Sequence, residues 1–204
     1  SQPWINIPSS QGSAEVFLVF LQQGIEHILF GLDHLLFVAA LMLLVRDWRM
    51  LVKTITAFTV AHSITLSLAT FKVVVPATAP VEAMIALSIV LAASEAIRVE
   101  QGRSSLATQW PWVVAFAFGL LHGFGFAGAL IQLGLPPDDV PLALLAFNVG
   151  VEIGQLLFVG VILAVVFAAR SIFTIPRRAP VAAAYAIGAV AALWSVERIH
   201  TILW

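Results

Sequence analysis

The chain has 204 residues, 61% of them apolar and only 10% charged, with a net charge of −1, five histidines and no cysteine. An ordinary soluble domain is roughly 45–50% apolar, so this composition excludes that class and points to a chain embedded in a membrane. The absence of a basic patch excludes a nucleic-acid face, and the absence of cysteine removes thiolate ligands, thiol nucleophiles and disulfides.

Residues 1–12 are polar, carry Pro3 and Pro8, and read as an extended outer lead-in. The chain begins at Ser1, which points to a leading segment removed upstream. Residues 13–204 read as one transmembrane helical domain. Its first part, 13–23, is expected to be a short interfacial helix capped by Ser13. The first span then covers about 24–45, with Gly31 in its middle as a candidate break. Further spans are expected at about 51–70, 81–98, 111–132, 142–169 and 181–200, punctuated by Pro76, Pro80, Pro111, Pro136, Pro137, Pro176 and Pro180. At about 20 residues per span the length suits this all-α polytopic bundle of about six transmembrane helices.

Arg46, Arg49, Lys53, Arg98, Arg103, Arg170, Arg177 and Arg178 fall in alternate connections, leaving only Lys72 and Arg198 for the other side. The positive-inside rule makes the first side cytoplasmic and places both termini outside. All six tryptophans, at 4, 48, 110, 112, 194 and 204, fall at span ends or beside loops, as an interfacial belt requires.

Ionisable side chains inside a bilayer cost several kcal/mol unless they are paired or face water, which makes them functional candidates. His27, Asp33 and His34 lie in the first span, His62 in the second, His122 in the fourth and Glu152 in the fifth. Imidazole and carboxylate together form a ligand set for Ni²⁺, Co²⁺ or Zn²⁺, and residue type alone does not choose among them. His27 and His34 stand on one face of a continuous helix, but roughly 10 Å apart along its axis, too far to share one ion. Either Gly31 breaks the helix and unites them, or they serve successive sites. Asp33 is either a direct ligand or the acceptor for a ligand's second ring nitrogen.

Glu26 and Ser63 flank these positions. Asn148, Glu152 and Gln155 form one polar stripe, with Gly150 and Gly154 on roughly the opposite side for tight packing. Gly119 and Gly123 allow close helix approach around His122. The bland alternatives are interfacial histidines at 27 and 34, and interhelical hydrogen bonding at 62, 122 and 152. Glu82 is expected in the first turn after Pro80, complementing the helix dipole. Glu95 either lines an exit route or snorkels, and Glu197, Arg198 and His200 read as an interfacial charge cluster.

Four stretches, Glu26-His27 through Asp33-His34-Leu35-Leu36-Phe37, Ala57 to Leu66, Phe118 to Ala127 and Phe147 to Gln155, closely resemble the HupE/UreJ membrane proteins. The likeness covers roughly residues 20–170. It implies a bacterial inner-membrane protein associated with nickel or cobalt uptake, often for hydrogenase or urease maturation. The family's first-helix histidine and Asp-His pair map onto His27, Asp33 and His34.

The first functional reading is therefore a permease or facilitator for a divalent metal. The ion would pass Glu26, His27 and Asp33 and bind among His34, His62, His122 and Glu152. A second reading is an intramembrane metal-dependent hydrolase with Glu152 as general base; a third is a metal sensor or accessory membrane protein. Lipid and the metal ion are the expected partners, with a homo-oligomer and a metalloenzyme maturation system left open.

Overall fold

A computed structural model of the chain describes residues 12–132 and 139–204, with side chains through residue 126 and again from 139. The described residues are helical and contain no strand. The helices are α1 (Ser13–Phe30), α2 (Leu32–Leu44), α3 (Trp48–Thr70), α4 (Thr78–Glu100), α5 (Leu106–Gln109), α6 (Pro111–Gln132), α7 (Val140–Ile172) and α8 (Ala179–Leu203). Four of them, α3, α4, α7 and α8, are long and apolar enough to cross a membrane, and the pair α1–α2 makes a fifth if counted as one broken span. Pro111–Phe126 of α6 is a shorter apolar helix. The expected lead-in at 1–12 lies outside the described residues except for Gly12, as does most of the turn before α7.

Several boundaries differ from the sequence expectation. Residues 13–23 are not a separate interfacial helix but the first half of α1, which continues unbroken to Phe30. Gly12, not Ser13, occupies the N-cap, without a side-chain hydrogen bond. Gln22, Gln23 and Gly24 look like a boundary in sequence, yet Gly24 is a packing glycine. A Cβ there would collide with the carbonyl oxygen of Phe147 on α7, and one at Gly150 would collide with that of Leu21 on α1. The two backbones approach as closely as glycine permits.

Helix α4 begins at Thr78, so Pro80 sits within its first turn and Glu82 lies beyond it. The dipole role expected for Glu82 is thus weakened, because that effect fades past the first turn. The short helix α5 was not foreseen; Ser105 and Thr108 close a capping box around it.

The helices pair most extensively as α3 with α6, α1 with α7 and α4 with α8, while α2 lies between them against α4, α7 and α8. Gly119 and Gly123 of α6 face α3 so tightly that a Cβ on either would strike the carbonyl oxygens of Phe58 and His62 respectively. One apolar core surrounds α2 through Phe37, Leu41, Ile55, Phe58 and Ile89. A second joins α1 to α7 through Phe20, Ile28, Phe147 and Val151. The histidines lie where these two cores meet. By contrast α7 and α8 display Leu157, Val161, Phe167, Tyr185 and Leu193 outward, as surfaces facing lipid do.

At the end rich in arginine, Arg46 of the α2–α3 connection bonds Glu100 of α4 at 2.8 Å, and Lys53 lies 4.6 Å from the ring centroid of Trp112. Both contacts suit an interfacial rim.

Candidate metal centre

Gly31 ends α1 and starts α2, and the two helices meet at a bend of 70°. Its N–H donates to the His27 carbonyl at 2.9 Å, while its own carbonyl accepts from Leu35. The bend replaces the roughly 10 Å axial offset of a continuous helix by a separation of 4.7 Å between the ring centroids of His27 and His34. Of the two alternatives the sequence left open, the broken helix is the one observed.

His62 of α3 completes a trio, with its ring centroid 6.2 Å from that of His27 and 5.9 Å from that of His34. One ligand nitrogen from each of His27, His34 and His62 falls within 4.8 Å of the others. Nitrogens on a tetrahedral ion with bonds of about 2.1 Å lie about 3.4 Å apart, so a modest inward closure would seat one ion. The Nε2 atoms of all three are buried and have no hydrogen-bond partner among the described residues. A buried polar atom without a partner is costly, and three such atoms on neighbouring imidazoles suit a site that takes a ligand.

In His34 and His62 the opposite ring nitrogens explain why Nε2 is the free one. His34 Nδ1 lies 3.1 Å from Asp33 Oδ1; a carboxylate only accepts, so Nδ1 carries the proton and Nε2 the lone pair. His62 Nδ1 lies 3.3 Å from Asn148 Oδ1. The Asn148 amide is itself oriented by donation from Nδ2 to the Leu144 carbonyl at 2.7 Å, so His62 donates through Nδ1. Asp33 and Asn148 thereby act as orienting partners.

His122 stands beside the trio, its ring centroid 5.1 Å from that of His34. Ser88 gives its hydroxyl proton to the Ile85 carbonyl at 2.6 Å and accepts from His122 Nε2 at 3.0 Å. That leaves the unpartnered, buried Nδ1 of His122 as its bare lone pair. Phe37, Phe58, Phe126 and Phe147 pack against the imidazoles and form an apolar sheath.

The remaining expected residues lie elsewhere. Glu152 accepts from Thr56 Oγ1 at 2.6 Å and Gln155 accepts from Thr59 at 3.1 Å, so these two members of the α7 stripe meet α3 away from His62, while Asn148 alone meets His62. Glu26 is exposed and bonded to Gln22, and Ser63 bonds the Thr59 carbonyl.

Sequence reasoning missed two residues. Glu82 and Arg198 line a cavity of about 150 Å³ together with His27, Asp33, His34 and His122. Arg198 is not part of an exposed cluster. It donates to the Glu82 carbonyl at 2.9 Å and lies 3.9 Å from the Glu82 carboxylate, while Glu197 and His200 remain exposed. A signal was available: Ala184, Ile187, Ala191 and Ser195 form the buried face of α8, and Arg198 continues their spacing.

A helical bundle whose long apolar helices can cross a membrane, with three neighbouring histidines of a kind that could hold a metal ion, defines the class of a polytopic membrane protein with a candidate metal site. The sequence matches the HupE / UreJ protein family over residues 5–198, nearly its whole length, and the chain belongs to that family. No curated protein matches it, and no solved structure does.

Proposed function

We propose that this protein is a permease or facilitator for a divalent transition metal, with nickel or cobalt as the favoured cargo and zinc as the competitor. The observation that carries the reading is the set of three unpartnered Nε2 atoms at His27, His34 and His62, held on three different helices. Neutral imidazole nitrogens suit all three metals, and membership of the HupE/UreJ family gives weight to nickel and cobalt. Six spans with both termini outside, in a bacterial inner membrane, is the topology that best fits the alternation of basic residues. In that frame the ion meets the Glu82–Arg198 end of the cavity first and the histidine trio next. Glu152 and Gln155, against Thr56 and Thr59 of α3, then offer polar groups on the cytoplasmic side. Glu152 bonds Thr56 and does not line the histidine cavity, so the hydrolase reading gains no support from its position.

The experiment is uptake of radiolabelled Ni²⁺ and Co²⁺ into proteoliposomes containing the full chain. Saturable uptake lost in His34→Ala supports the proposal. Uptake equal to that of protein-free liposomes, with metal still bound stoichiometrically, supports a sensor or accessory role instead.

A further inference from the structure

Resting on the metal-binding reading, we infer that the cavity takes its divalent cation together with one small carboxylate-sized anion, held between the metal and the guanidinium of Arg198. The cavity is lined by two carboxylates, Asp33 and Glu82, and one guanidinium, Arg198. With neutral imidazoles these carry a single net negative charge, so a divalent cation leaves one positive charge uncompensated. Net charge within a membrane protein is expensive, and a monoanion removes it.

Coordination leads to the same answer. Of the trio, His27 and His34 line the cavity, and an ion held by three imidazoles would keep at least one position open. Arg198 uses Nη1 for the Glu82 carbonyl and approaches the Glu82 carboxylate only at 3.9 Å through Nε. A guanidinium has five donors in a planar fork suited to carboxylate, so donors remain for a second acceptor. There is room as well, because a cavity of about 10–15 Å³ by the same measure already holds a water and this one has about 150 Å³. The cavity is also graded. The Arg198 and Glu82 side chains are 26% and 47% exposed, whereas His34 and His122 are 4% and 1% exposed. The anion would therefore lie outward of the metal.

The test titrates Co²⁺ into the detergent-purified protein over matched free Co²⁺ activities, with and without acetate as the probe anion, reading affinity and the d–d spectrum. Acetate is expected to tighten Co²⁺ binding by about fivefold or more, and Co²⁺ to tighten acetate binding by the same factor. Arg198→Gln should abolish the acetate effect while leaving acetate-free Co²⁺ affinity equal or higher, because the remaining carboxylates already balance the ion. Glu82→Gln should make the acetate dependence larger. A merely structural Arg198 would instead give weaker Co²⁺ binding in Arg198→Gln in both buffers. Wild-type binding and spectrum indifferent to acetate would overturn the inference and leave the histidine site standing. No Co²⁺ binding in either buffer would overturn both.

Discussion

Asp33 and His34 are neighbours in sequence and form the most constrained pair at the site: Asp33 Oδ1 accepts both the His34 backbone N–H at 2.9 Å and the ring Nδ1–H at 3.1 Å. This double contact fixes the imidazole against the start of α2 and keeps its Nε2 for a ligand. The break at Gly31 then brings His27 to the same place.

Asp33→Asn keeps the shape but replaces a charged acceptor by an amide that can present either N or O. Losing such an orienting partner typically costs 10–100-fold in metal affinity. Competitive titration of Co²⁺ against a chromophoric chelator should show a loss in that range. An unchanged affinity would remove Asp33 from the site.

Single replacement of His27, His34 or His62 by alanine should weaken Co²⁺ binding by at least about tenfold, the lower bound for an orienting partner and so a floor for a ligand. His122→Ala should have a smaller effect, because His122 stands outside the group of three whose ligand nitrogens fall within 4.8 Å of one another, and His200→Ala should have none. Equal affinities in all five variants would contradict a shared site.

At Gly31 a Cβ would lie 2.5 Å from the His27 carbonyl oxygen and 3.2 Å from His34 Nδ1. Gly31→Ala must therefore shift the junction that brings the two histidines together. Overpacking of this kind costs about 1–3 kcal/mol, and the affinity loss should exceed what that destabilisation alone produces. Thermal unfolding and Co²⁺ titration on the same sample separate the two effects.

The helix contacts make a paired stability prediction. Gly24→Ala places a methyl against the Phe147 carbonyl, whereas a Cβ at Gly160 meets nothing within 4 Å. Gly24→Ala should lower the melting temperature by an amount corresponding to about 1–3 kcal/mol. Gly160→Ala should leave it unchanged or raise it slightly, since alanine is the better helix former.

The helices themselves were legible because long apolar runs bounded by proline admit few other structures. The histidines were legible as candidates because charge and imidazole are scarce in such runs. What separates His27 and His34 from one another is a single backbone junction, and a glycine within an apolar helix is compatible with both a straight and a broken chain. The same ambiguity hid Gly24, whose role depends on the Phe147 carbonyl more than a hundred residues away. Glu152 is a candidate because a carboxylate is scarce in an apolar span, but scarcity says nothing of azimuth, and its side chain turns to Thr56. Arg198 was assigned to the interface by its position near the end of a span, although the spacing of small residues along α8 already placed it on the inner face.

X-ray absorption at the cobalt edge of the metal-loaded, full-length protein tests the histidine trio most directly. The account predicts a first shell of nitrogen and oxygen donors with the outer-shell scattering of three imidazoles, falling to two in His62→Ala. A shell of oxygen donors alone, or an imidazole count unchanged in His62→Ala, would contradict it.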